Sequence, residues 1–123
     1  KKGDKVFVIG HKSKDTHFEN IGLMIIEENS LLLEANLKLY LLSCRVLGRG
    51  LEKNCIKWLA SYYLEKGFNK LYAELIKNER NIPIHNIFKE VGFIYKKNIL
   101  WELRLKEKFE KPNYIKIYNN LSS

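Results

Sequence analysis

In the stretch LLSCRVLGRGLEKN, Leu41–Asn54, two sequence periods meet. Upstream, Leu31–Ser43 alternates. Ala35, Leu37, Leu39 and Leu41 share one face, and Glu34, Asn36, Lys38, Tyr40 and Leu42 share the other, as in a strand. Downstream, Leu51, Cys55, Trp58, Leu59 and Tyr62 recur at i, i+4, i+7, i+8 and i+11, the stripe of an amphipathic helix. Arg45, Gly48, Arg49 and Gly50 lie at the junction. A strand that feeds a helix through such a turn presents backbone N–H groups and the positive end of the helix dipole. The glycines permit close approach of a ligand to the backbone, and the arginines add charge. The junction reads either as an anion holder or as a tight connection with solvated arginines.

The remaining elements follow by the same rules. Lys5–His11 is a strand, Lys12–Asn20 a loop, and Ile21–Glu28 a second strand that turns at Glu28–Ser30. With Leu31–Ser43 they form an antiparallel meander. Gly67 closes the first helix, and Lys70–Ile76 is a further strand. A shorter helix has Ile84, Ile87, Phe88 and Val91 on one face, Pro83 in its first turn and Gly92 at its end. Phe93–Leu105 reads as a hairpin turning at Lys96–Asn98. Lys106–Ser123 reads as a polar tail with a short apolar patch at Tyr114–Tyr118. The expectation is one α/β (α+β) domain over residues 1–105, a mixed, mostly antiparallel sheet flanked by helices, followed by the tail 106–123.

The chain has 123 residues, 46% of them hydrophobic and 29% charged, enough for a core of its own. Lys, Glu or Asn interrupts each apolar run before it reaches membrane-spanning length, and no signal segment is visible at the start. Cys44 and Cys55 lack C-x-x-C spacing, so reduced thiols in a cytoplasmic protein are expected. The net charge of +8 points to a negatively charged partner. Its lysines are scattered along the chain and its arginines are only Arg45, Arg49, Arg80 and Arg104, which argues against nucleic acid. His11, His17 and His85 share no metal-ligand spacing with each other or with the cysteines, so no metal is expected.

Arg45-x-x-Gly48-x-Gly50, placed between strand and helix, resembles the acyl-CoA pyrophosphate loop of the GCN5-related N-acetyltransferase (GNAT) fold. NIPIHNIFKEVGF, Asn81–Phe93, resembles that fold's closing signature, an Asn followed by a short helix ending in Gly-Phe. Two such signals in order, about 30 residues apart, say more than a glycine pair alone. LLSCRVLGRGLE together with ELIKNERNIPIHNIFKEVGF is similar to the C-terminal GNAT-like domain of FkbH-like proteins. The similarity spans roughly Lys5 to Leu105. Such proteins join a haloacid-dehalogenase-type (HAD) domain to this one and load a glyceryl unit onto the phosphopantetheine thiol of an acyl carrier protein. No D-x-D-x loop occurs in the chain, so the resemblance implies an HAD-like domain upstream of Lys1.

The resemblance implies that acyl-CoA, or the phosphopantetheine of an acyl carrier protein, is held by Leu42, Ser43, Arg45, Val46, Leu47, Gly48, Arg49, Gly50 and Asn81. The motif can be anchored at Arg45 or, in a second register, at Arg49. Cys44, beside Arg45 and near a helix N-terminus, is a candidate acyl acceptor or else a small buried core thiol. Glu34 and Glu74 are candidate general bases, Glu74 with more support from the pattern; either can equally be a solvated strand carboxylate. Asn81 also suits a helix cap, and Arg80 beside it a phosphate contact. Two departures bear on the chemistry. Phe88 stands where the fold often has a Tyr that protonates the leaving thiolate, and Glu52 brings negative charge to the first turn of the long helix. The alternatives to carrier-protein loading are a stand-alone acetyl-CoA-dependent N-acetyltransferase and a non-catalytic docking module.

Overall fold

The computed structural model describes residues 2–12, 18–43, 50–77, 82, 84–106 and 115–119. One sheet organises them. β1 (Lys2–Lys12), β2 (Phe18–Asn29) and β3 (Glu34–Leu42) form the expected antiparallel meander. α1 (Leu51–Glu65) then crosses over to β4 (Lys70–Glu74), which pairs with β3 in parallel. α2 (Ile87–Val91) leads to the hairpin β5 (Ile94–Lys97) and β6 (Leu100–Arg104), and β6 lies antiparallel to β4. β7 (Ile115–Asn119) pairs antiparallel with β1, so the strand order is β5-β6-β4-β3-β2-β1-β7.

Several bounds differ from the expectation. β1 reaches Lys12 and β2 begins at Phe18, so the loop inferred for Lys12–Asn20 is shorter at both ends. β3 begins at Glu34, because Leu31–Leu33 form the turn: Asn29 Oδ1 accepts from the Leu32 amide at 3.2 Å, and Leu33 takes φ +56°. The tail is not all outside the sheet, since residues 115–119 supply its seventh strand.

The two helix ends behave as their glycines predict. Gly67 sits at φ +84°, its amide donates to the Leu64 carbonyl, and the Phe68 amide reaches the Tyr63 carbonyl at 2.9 Å. Gly92, at φ +120°, repeats the pattern, with Phe93 N–H donating to the Phe88 carbonyl at 2.8 Å. In each case the aromatic ring after the glycine packs on the ring that begins the turn, Tyr63–Phe68 and Phe88–Phe93.

α1 buries Leu51, Cys55, Ile56, Leu59, Ala60 and Tyr63 against Phe7, Met24, Ile26, Ala35, Leu37, Leu71 and Ala73 of the sheet. Trp58 and Tyr62, expected within the buried stripe, flank it. They stack on one another at 5.4 Å and meet the edge of Phe7. Trp101 is likewise half-buried against the core.

The regular alternation expected along β3 is overturned at Lys38. Ile25 pairs with Leu39 and Ile26 with Leu37, so Lys38 is an extra, bulged residue. A bulge shifts the side-chain phase by one. Ala35 and Leu37 are buried as expected, but Leu39 and Leu41 are 38% and 52% exposed, while Tyr40 and Leu42 turn to the core.

Leu42 folds over Gly22, which faces it across the ladder. A Cβ on Gly22 would lie 2.5 Å from the Leu41 carbonyl oxygen and 2.6 Å from Leu42 Cδ2. Gly22→Ala therefore requires a backbone shift and is expected to lower stability by about 2–3 kcal/mol, read from the midpoint of a urea titration.

Candidate functional site

The parallel contact between β3 and β4 consists of four pairs, Glu34–Lys70 to Leu37–Ala73. The strands then part. β3 continues beyond the bulge along β2 as far as Leu42, and β4 stays with β6, which receives Glu74 opposite Leu100. Pairing between them ends at Leu37–Ala73, which leaves a gap in the ladder beyond that pair. The β4-facing backbone groups of Lys38–Leu42 have no strand partner among the described residues.

The Ser43 amide donates to the Ile21 carbonyl at 2.6 Å, and chain description resumes at Gly50, the N-cap of α1. Gly50 has φ +85°, and among the described residues no atom lies within 4 Å of where its Cβ would be and no side chain caps this end of the helix. Terminal amides and a helix dipole of this kind suit an anion.

Cys44, Arg45, Val46, Leu47, Gly48 and Arg49, and also Arg80 and Asn81, lie outside the described residues. Of the other residues expected to hold the cofactor, Gly50 is exposed at the helix start and Ser43 is half-buried at the strand end. Leu42 directs its side chain into the core.

Tyr40, brought inward by the bulge, donates its hydroxyl to the Glu52 main-chain carbonyl at 2.8 Å, tying the far end of β3 to the first turn of α1. Burial holds the Tyr40 phenol well above its ordinary pKa, with Cys55 and Glu52 adding to the shift. Glu52 itself is buried, 3% exposed, and its charge acts inward on Tyr40 and Cys55.

Glu74 follows directly on the last β3–β4 pair, on the sheet face opposite α1. Asn36 Nδ2 donates to Glu74 Oε2 at 2.6 Å, fixing the carboxylate, while Asn36 Oδ1 is buried without a hydrogen-bond partner. Glu34 shares this face. Burial, and then the charges of Glu34 and Glu102, raise the phenol pKa of Tyr72 beside them. The site thus has a helix terminus on one side and a fixed carboxylate on the other, joined by the gap. Sequence reading missed Asn36 and Tyr40; the register that pairs β3 with β4 would have pointed to Asn36.

Phe88 is buried against Phe93 and belongs to the core. No group of three or more metal-ligating side chains occurs among the described residues. Nor is any described helix long and apolar enough to cross a membrane.

No protein-family model and no curated protein matches the sequence. Solved structures do match. Spermidine N-acetyltransferase from Vibrio cholerae, in its dodecameric form, superposes with a TM-score of 0.66 at 15% identity, over 83% of this chain and 65% of that one. Tetrahymena GCN5 superposes with a TM-score of 0.58 at 11% identity, over 81% and 68%. A domain from Methanocaldococcus jannaschii superposes with a TM-score of 0.63 at 15% identity, over 76% and 62%. The chain has the GNAT acyl-CoA N-acyltransferase fold, and it spans 62–68% of the length of these three chains.

Burial pushes the Cys55 thiol up to about 12, with the Glu52 charge adding and the Tyr40 hydrogen bond opposing. At pH 8 about one part in 10⁴ of Cys55 is thiolate, so its alkylation should be ~1,000-fold or more slower than that of a free thiol until the chain is unfolded. The raised value also sets a stability window. The unfolded thiol ionises near 9 while Cys55 keeps its proton to about 12, so stability falls as pH rises between them. Cys55→Ala should remove up to about 4 kcal/mol of that alkaline loss in denaturant titrations at pH 9 and 12.

Proposed function

We propose that this chain is an acyl-CoA-dependent acyltransferase domain that transfers an acetyl-type group to an amine. The observation that carries the reading is the gap between β3 and β4 opening beside the uncapped, glycine-led start of α1. The residues fit such a donor. First-turn amides and the helix dipole suit a pyrophosphate, and Gly50 leaves room for one to approach. The free backbone edge of Lys38–Leu42 suits an arm with amides of its own, as pantetheine has. Acyl-CoA would supply a thioester carbonyl open to attack.

The chain's own contribution is placement and proton handling. Tyr40 holds the helix start against the splayed end of β3. On the opposite face Glu74 accepts a proton from the acceptor amine, and Asn36 keeps its carboxylate turned to that task. Phe88 has no proton to give, so the thiolate leaves unprotonated or takes its proton from water. Burial and a thiol held in its protonated form keep Cys55 out of the chemistry. Cys44, Arg45, Val46, Leu47, Gly48, Arg49 and Asn81 retain the roles that the sequence resemblance implies.

A second reading rests on two observations, the SCRVLGRG resemblance to FkbH-like proteins and the +8 charge, which suits an acidic acyl carrier protein. There the same gap takes the phosphopantetheine arm of that carrier, in concert with an upstream HAD-like domain. The likeness to acetyltransferase structures supports free acyl-CoA at least as well.

Calorimetric titration with acetyl-CoA, holo-carrier protein and apo-carrier protein separates the readings. Binding of acetyl-CoA with thiol release in the presence of an amine supports the first. Binding of holo-carrier alone supports the second. Silence with all three ends both. Glu74→Gln should keep acetyl-CoA affinity and lower kcat by about 10²–10³-fold.

A further inference from the structure

A second ionic feature lies on the β5–β6 side of β4. A cavity of about 250 Å³ is lined by Gly92, Ile94, Lys96, Glu102, Arg104 and Lys106. Glu102 is buried on β6 and is the hub of this cluster. Lys96 Nζ lies 3.5 Å from one carboxylate oxygen, and Lys70 Nζ and Arg104 Nε lie 3.7 and 3.9 Å from the other.

The charges do not balance. Lys70 has Glu34 beside it in the β3–β4 register, but Lys96 and Arg104 reach no carboxylate other than Glu102 among the described residues. Lys106 adds a further cation to the wall. Lys70 and Arg104 also stand directly opposite one another in the β4–β6 ladder, an arrangement of like charges that costs stability. Surface lysines can usually swing apart into solvent. Here the buried Glu102 carboxylate draws three of the cations toward one point.

We infer that the Glu102 cavity is a second binding site, for the phosphate dianion of a small phosphorylated metabolite. The exposed Arg104 guanidinium offers a planar fork of donors for such a group, and Lys96 and Lys106 offer point charges. A volume of about 250 Å³ lies just under the range of drug-sized pockets, which favours a phosphate with a short organic stem lying along Ile94. Glu102 sets the affinity as well as the geometry, since it competes with the ligand for the same cations.

The competition makes the site testable without knowing the metabolite. Inorganic phosphate is titrated into the intact chain at low ionic strength, with heat and backbone amide shifts as readouts. Saturable shifts are expected at Gly92 and Leu103, and saturating CoA should not abolish them. Arg104→Ala combined with Lys106→Ala, both solvent-exposed positions, should weaken binding by about ten-fold or more. Glu102→Gln should tighten it, because the cations lose their internal partner. Lys57→Ala on α1 removes one positive charge elsewhere on the chain and should do nothing. Three results would overturn the site: shifts confined to Gly50 and Leu51, an equal loss in Lys57→Ala, or unchanged affinity in a folded Glu102→Gln. Should Glu102→Gln not fold, the double variant and its Lys57 control decide alone.

Discussion

The parallel contact between β3 and β4 lasts four residue pairs, and its early end shapes everything near the gap. Sheet pairing ordinarily satisfies both edges of a central strand, because an unpaired backbone group away from water is costly. At Lys38 the bulge breaks that economy. One inserted residue shifts the phase of β3, the edge beyond it has no strand partner toward β4 among the described residues, and Tyr40 turns inward to hold the next helix. A functional cleft in the middle of a sheet needs some such defect, since a fully paired sheet has no room for a ligand between its strands.

An opening of this kind needs rigid walls, and α1 is fastened at both ends. At its start Tyr40, from the sheet, donates to the Glu52 carbonyl of the helix. At its end Tyr63, from the helix, donates to Glu28 of the sheet at 2.7 Å, and Lys5 and Lys66 complete that carboxylate's shell at 3.5 and 3.6 Å. Burial lifts both phenols above their ordinary range, so both keep the proton they donate across the neutral range. The helix is held by directional bonds, with the apolar stripe between them supplying most of the stabilisation.

These causes were unequally visible in the sequence. Gly67 and Gly92 announced both helix ends, because an αL terminus leaves few alternatives to glycine. The stripe from Leu51 to Tyr62 located α1, though it misjudged which residues lie deepest. The bulge was hidden. Ala35, Leu37, Leu39 and Leu41 make an unbroken period of two, and nothing in those side chains marks Lys38 as the extra residue. Register between strands is a tertiary property, so the Asn36–Glu74 bond could not be read before β3 was paired with β4. β7 was obscured for a related reason: five residues in a polar tail become a strand only because β1 offers an edge.

Glu52 shows how the same limit affects electrostatic reasoning. From sequence, a carboxylate in the first helical turn complements the dipole and repels any anion approaching the terminus. Position along the chain gives its distance from the helix end but not its direction. In the fold the carboxylate is buried among Tyr40 and Cys55, where its charge raises their pKa values. Low-dielectric surroundings strengthen its hold on those neighbours. The outward side of the turn keeps Gly50 and the uncapped amides. The acid at the first turn thus helps to keep protonated the tyrosine that ties this turn to β3, while its charge still bears on any anion at the terminus.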